Sequence, residues 1–222
     1  MGLGTLSIII IAPFVLGLVA IALASITPAR YNALVDRQMW IFSLGTSFIV
    51  FAFTTLMWIG NVGGFSNLSL NEYAYLEESP WIPSIGVSWI LGVDGLSMPL
   101  VWMTAFLIPV SILISRDEKD GRYFHPLLLI MGSALMGVFV ALDMVMFYIF
   151  YEFTLIPMFF LILKWGGENR RYAAQKFMIY TFFASVIMLL GLLATAFLMG
   201  PGTEQGCHLS SITNRCFDMR VA

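Results

Sequence analysis

The chain has 222 residues, 59% of them hydrophobic and 11% charged, with a net charge of −2 and a mean hydropathy of +0.89. A soluble domain is roughly 45–50% apolar and about 25% charged, so composition argues against a water-soluble fold and for an integral membrane protein whose first partner is the lipid bilayer. With almost no net charge and no basic run, nucleic acid is set aside as a partner.

Apolar runs of bilayer length predict an all-α integral membrane protein with about six transmembrane helices. They lie at roughly Leu3–Ile26, Met39–Trp58, Leu91–Ser115, Pro126–Leu142, Met144–Leu163 and Ala173–Met199. The opening run lacks a positively charged leader and is too long for a signal peptide, so it is expected to be a retained helix. The expected organisation is two helices in residues 1–60, an external loop at 61–90, helices 3–6 in 91–200 and a polar tail at 201–222. Gly, Asn, Ser and Pro mark the loop, which carries Glu72, Glu77 and Glu78 but no Lys or Arg. The tail holds Cys207 and Cys216, with His208 beside the first; this spacing fits no metal site, and an external disulfide is the alternative to no function.

Positive loops stay on the cytoplasmic side. Arg30 and Arg37 lie between helices 1 and 2, Arg116, Lys119 and Arg122 between 3 and 4, and Lys164, Arg170 and Arg171 between 5 and 6, with Lys176 just beyond. Only Arg215 and Arg220, in the tail, fall on the other side, so both termini are expected to face outward. Trp58, Trp81, Trp89, Tyr123, Trp165 and Tyr172 near the span ends read as interfacial anchors.

Glu152 is the only ionisable side chain near the middle of a span, nine residues into its helix, about 13 Å at 1.5 Å per residue. A charged acid there costs on the order of 2.5–3.5 kcal/mol, so it should face protein or water and be able to take up and release a proton. The alternative is a neutral acid acting as hydrogen-bonded packing glue. Tyr148, four residues earlier, shares its helical face and offers a hydroxyl. Pro157, one turn later, frees the carbonyl of Phe153 and kinks the helix, making room for water or a neighbouring side chain. Lys176 either snorkels to the interface or acts as a relay on the proton-uptake side or as a partner to a carboxylate, with Tyr180, Thr181 and Ser185 extending a polar stripe along its helix. Asp94 suits a helix cap, Asp143 a tight turn and His125 an interfacial position. No phosphate loop, dinucleotide fingerprint, CxxC or haem-spaced histidine pair is present, so this chain is expected to hold no cofactor and do no redox chemistry itself.

The segment FVALDMVMFYIFYEFTLIPMFFLILKWGGENRRYAAQKFMIYTFFASVIML closely resembles the antiporter-like chain M of bacterial NADH–quinone oxidoreductase (respiratory complex I), called chain 4 in mitochondria. The resemblance is carried by Asp143, Glu152, Leu155–Met158, Trp165–Gly166, Arg171 and Ala173–Phe177; the earlier ESPWIPSIGVSWILGVDGLSMP also looks like that family, and Tyr151 replaces its usual tryptophan. It implies the N-terminal part of a fourteen-helix proton-pumping subunit, with Glu152 in the mid-membrane proton path. In that family the acid works by pairing with a lysine on a later helix, which these 222 residues do not include.

The resemblance further implies a proton-translocating subunit of a respiratory NADH (or related donor):quinone oxidoreductase. The chain is then expected to sit among other membrane-arm subunits, with another chain supplying the later helices. Flavin, iron–sulfur clusters and quinone would be held by other subunits. The expected location is a bacterial or archaeal plasma membrane, with the mitochondrial inner membrane second. The alternatives are a subunit of a multisubunit Na+/H+ antiporter or membrane-bound hydrogenase, or a structural membrane scaffold.

Overall fold

The computed structural model describes residues 4–27, 32–60, 73–82, 87–198 and 219. Their elements are α1 (Thr5–Ile26), α2 (Asn32–Gly60), β1 (Ala74–Ile82), β2 (Val87–Val93), α3 (Ser97–Ile114), α4 (Gly121–Val140), α5 (Met144–Trp165) and α6 (Arg170–Leu198). Among the described residues, six helices are long and apolar enough to cross a bilayer. Cys207, His208, Cys216, Arg215 and Arg220 lie outside the described residues, as does residue 72 of the acidic loop.

α4 is the central helix: it packs against α1, α2, α3 and α5, whereas α6 packs chiefly on α5. Its sequence explains the position, because Gly132, Ser133, Ala134 and Gly137 are all buried on it and let neighbours approach closely. The ring of Phe150 on α5 occupies the space that a Cβ at Gly137 would need. Pro13 leaves the carbonyl of Ile9 without its helical donor, and one residue further on Ser133 of α4 donates to the carbonyl of Ile10. Between α2 and α3, the Trp102 ring stacks on Phe106 at 5.9 Å and meets Trp58 edge-on at 5.1 Å. Its indole N–H donates to Thr55 Oγ1 at 3.0 Å, as a buried tryptophan requires. Outward faces remain apolar, with Leu18 and Leu23 on α1 and Phe183 and Ile187 on α6 all exposed.

Three helix starts differ from the hydropathy reading. Leu91–Val93 belong to β2 and α3 begins at Ser97; a short, continuous apolar run of β-branched and aromatic residues cannot be told from a buried helix by periodicity alone. α2 starts at Asn32 and α4 at Gly121, since their first turns are polar and protrude from the apolar window although they continue the same helix. The expected loop therefore carries an antiparallel hairpin, in register Glu78↔Ile90, Ser79↔Trp89 and Ile82↔Val87.

The hairpin is fastened to helix ends by polar groups. α1 begins at Gly4 with no side-chain cap of its own, leaving its first N–H groups without intrahelical partners. Glu77 of β1 supplies the cap from a distance: Oε1 accepts from the Leu6 N–H at 2.5 Å, and Oε2 from the Ser7 N–H at 3.1 Å and the Ser7 hydroxyl at 2.6 Å. Trp89 of β2 donates its indole N–H to the same hydroxyl at 2.9 Å, so it is a strut between the hairpin and α1 as well as an aromatic at a span end. A negative charge is favourable at a helix N-terminus. Glu77→Ala is accordingly expected to lower stability by about 1–2 kcal/mol and to open the hairpin to proteolysis, measured by denaturant titration in detergent and by limited digestion.

The positive loops gather at the opposite end of the bundle from the hairpin. Lys164 at the end of α5 pairs with Asp120 before α4 at 3.2 Å, and the Trp165 indole donates to the Lys119 carbonyl at 2.7 Å. Met219 lies at the hairpin end, where its N–H donates to the Leu142 carbonyl at 2.8 Å.

Candidate functional site

The site is organised by how α5 begins. Asp143, 1% exposed, accepts through Oδ1 from the Val145 and Met146 N–H groups at 2.9 and 3.1 Å and through Oδ2 from the Ser88 N–H of β2 at 3.3 Å. It is thus a buried helix cap tied to the hairpin, a larger role than the turn expected of it. Asp94 fulfils the capping expectation: Oδ1 accepts from the Leu96 and Ser97 N–H groups at 3.0 and 2.6 Å, while Ser97 Oγ accepts from the Asp94 N–H at 2.9 Å.

From that start, Tyr148 and Glu152 fall one turn apart on the side of α5 that meets α6. Glu152 is half-buried, and its Oε1 is buried with no hydrogen-bond partner among the described residues. Tyr148 interacts through its hydroxyl with the Glu152 carboxyl and with Ser185 of α6. Ser185 is buried and donates its own proton to the Phe182 carbonyl at 2.8 Å. Pro157 is buried one turn beyond the acid, and Phe153, whose carbonyl it frees, packs its ring against Phe14 of α1 at 5.4 Å. An acid, a phenol and a hydroxyl therefore meet at the α5–α6 contact.

Lys176 is not part of this cluster. It is exposed; its ammonium donates to the Tyr172 hydroxyl at 3.3 Å and lies over the rings of Tyr172 and Tyr180 at 5.4 and 5.8 Å. At about 100° per residue, Ser185 is roughly half a turn away from Lys176 around the helix, so the expected single polar stripe is split. Tyr172, Lys176 and Tyr180 line the outer face, Thr181 is half-buried, and Ser185 turns towards α5. Spacing by four links Lys176 to Tyr180 and Thr181 to Ser185, but not one pair to the other.

His125 lies near the loop end of α4 and is buried there. It is 1% exposed within α4, with Nε2 3.0 Å from the Ser115 carbonyl and Nδ1 buried without a partner among the described residues. Its position in the first turns of α4, beneath the α3–α4 connection, follows from α4 starting five residues before the hydropathy window. No group of three or more His, Cys, Asp or Glu side chains suited to a metal occurs among the described residues.

Comparison with known proteins gives matches of sequence and of fold. Residues 141–214, which include α5, match the family described as NADH:quinone oxidoreductase/Mrp antiporter, TM. The F(420)H(2) dehydrogenase subunit M of Methanosarcina mazei is 46% identical over 147 residues, covering 60% of this chain and 30% of that protein. The NAD(P)H-quinone oxidoreductase chain 4 1 of Nostoc sp. is 38% identical over 157 residues, covering 70% of this chain and 28% of its own length. The chain therefore spans about a third of the length of these relatives. Among solved structures, respiratory complex I from Thermus thermophilus with bound NADH contains a chain that superposes with a TM-score of 0.69 at 25% identity, over 87% of this chain and 36% of that one. The Mrp complex from Dietzia sp. shares the fold, with a TM-score of 0.62 at 18% identity over 86% of this chain and 19% of that one. The chain is a multi-pass membrane protein whose residues 141–214 match the family described as NADH:quinone oxidoreductase/Mrp antiporter, TM, and whose helices share the fold of part of a chain of respiratory complex I.

Proposed function

We propose that this chain is a proton-translocating antiporter-like subunit of a respiratory NADH (or related donor):quinone oxidoreductase in a bacterial or archaeal plasma membrane, working beside other membrane-arm subunits. The observation that carries this reading is the Glu152 carboxyl. It is held half-buried at the α5–α6 contact within the family-matched segment, with one oxygen unpartnered among the described residues and Tyr148 against it. The relatives' names support complex-level oxidoreductase activity with NAD(P)H or F420H2 as donor. In this reading the electron carriers belong to other subunits and the present chain moves protons only.

Glu152 would bind a proton while its surroundings are apolar and release it when an opposite charge approaches, because a nearby cation favours the carboxylate. Tyr148 and Ser185 would relay or steady that proton through their hydroxyls, and the Pro157 break would admit water or a neighbouring side chain. Lys176, at the positive-loop end of α6, is the proposed relay on the uptake side, reached along the outer face through Tyr172 and Tyr180. Its head group lies where water can substitute for it, so Lys176→Gln is expected to slow translocation by no more than roughly tenfold, less than loss of Glu152, as measured by proton uptake into inverted vesicles.

A second reading, a subunit of a multisubunit cation/proton antiporter, is favoured by the breadth of the matched family, whose description includes the Mrp antiporter. Purification of the complex in mild detergent tests the choice: co-purifying flavin and iron–sulfur polypeptides support the oxidoreductase, and their absence from an active antiporter overturns it. Proton pumping at the wild-type rate by a Glu152→Gln variant would instead favour a structural scaffold.

A further inference from the structure

At the positive-loop end, the bundle opens into a groove of about 560 Å³ between α1, α4, α5 and the start of α6, within the size range of ligand sites. Three cations edge it: Lys164, Arg170 and Arg171. Two of them are held in place. The Lys164 ammonium pairs with Asp120 at 3.2 Å and lies over the rings of Tyr123 and Trp165 at 4.5 and 4.9 Å, while Arg170 Nη1 donates to the Lys164 carbonyl at 2.7 Å. The remaining walls are apolar, with Ile21, Leu127 and Phe160 lining the groove further from the loops, and Phe160 is itself exposed. A cationic rim at the ends of membrane helices, continuous with an apolar cleft that runs into the bilayer region, is complementary to an amphiphile with an anionic head.

We propose that this groove seats one anionic phospholipid, with its phosphate on Lys164, Arg170 and Arg171 and an acyl chain along Ile21, Leu127 and Phe160. Basic pockets between transmembrane helices on the cytoplasmic side suit such head groups, and interfacial aromatics such as Tyr123 and Trp165 complete the amphipathic lining. Free phosphate would use the rim but gain nothing from the cleft. A zwitterionic lipid would fill the cleft but leave the surplus charge unmet.

The test uses the full chain purified from membranes, with bound lipid counted by mass spectrometry and thermal stability measured in nanodiscs of phosphatidylcholine with or without phosphatidylglycerol. The wild type is expected to retain anionic lipid through purification and to be stabilised by phosphatidylglycerol. Each basic side chain near an anionic surface contributes about fivefold in affinity, so the double variant Arg170→Gln with Arg171→Gln should bind such lipid roughly 25-fold more weakly. The control double variant Arg37→Gln with Lys119→Gln, on the same side but outside the groove, should bind normally. Ile21→Trp fills the cleft with every charge intact and should also reduce retention, which keeps the proposal testable if the double variant fails to fold. Unchanged retention in the groove variants, as a groove filled by a partner protein would give, overturns the proposal. So does stabilisation by inorganic phosphate equal to that by phosphatidylglycerol, or equal retention of zwitterionic lipid.

Discussion

Replacing Glu152 by glutamine is expected to lower proton translocation by the assembled complex by roughly a hundredfold or more, the scale on which a positioned proton-transfer group acts, while the chain folds and assembles normally. Glutamine keeps the shape of the side chain and its hydrogen-bonding reach to Tyr148 but cannot bind and release a proton near neutral pH. Removal of a potential charge from the apolar α5–α6 contact lowers the cost of burial, so stability should hold or rise slightly. Proton uptake per quinone reduced, measured in inverted vesicles beside a thermal unfolding curve, separates the two effects. Tyr148→Phe keeps the ring and removes the hydroxyl that interacts with Glu152 and Ser185; a smaller loss of translocation, about tenfold, is expected by the same measurement. If Tyr148→Phe were as damaging as Glu152→Gln, the phenol would be as necessary to the proton path as the carboxyl; wild-type pumping by Glu152→Gln would instead exclude the carboxyl as the proton carrier.

Asp143→Ala should destabilise the chain by about 2–3 kcal/mol, from loss of the α5 cap and from leaving the buried Ser88 N–H of β2 without its acceptor. The effect reaches the site through α5, because the cap helps set where the helix begins and therefore which way Tyr148 and Glu152 point. Asp143→Asn retains one accepting oxygen for the cap but sets a donor NH2 against the Ser88 N–H, and should recover only about half of the loss. Thermal unfolding in detergent checks the size of the effect. A drop in pumping by Asp143→Ala, restored in part by Asp143→Asn, would show that the cap positions the acid; equal unfolding temperatures for Ala and wild type would refute it.

The sequence by itself determined the membrane class and the number of spans, because a bilayer demands apolar helices of a certain length and leaves few other solutions. It also pointed to Glu152, since an acid in mid-span is costly enough to be conspicuous whatever surrounds it. It put Pro157 one turn past that acid and Asp94 ahead of α3, because proline geometry and helix capping are local.

Contacts between segments distant in the chain were decided only by tertiary structure. The hairpin was hidden because residues up to 90 read as a loop and Leu91–Val93 as the start of a helix until their pairing with Ala74–Ile82 is known. Glu77 looked like a loop acid, and its role as the cap of α1 depends on a partner about seventy residues away. Lys176 and Ser185 lie on one helix, yet only the packing of α6 on α5 shows that Ser185 turns to Glu152 while Lys176 faces out. Hydropathy and spacing are properties of a single segment, whereas the neighbour a side chain meets depends on how every other helix packs. The six spans and the Tyr148–Glu152 pair on one helix were thus legible in advance, because both are local, and the part that α6 brings to that pair was not.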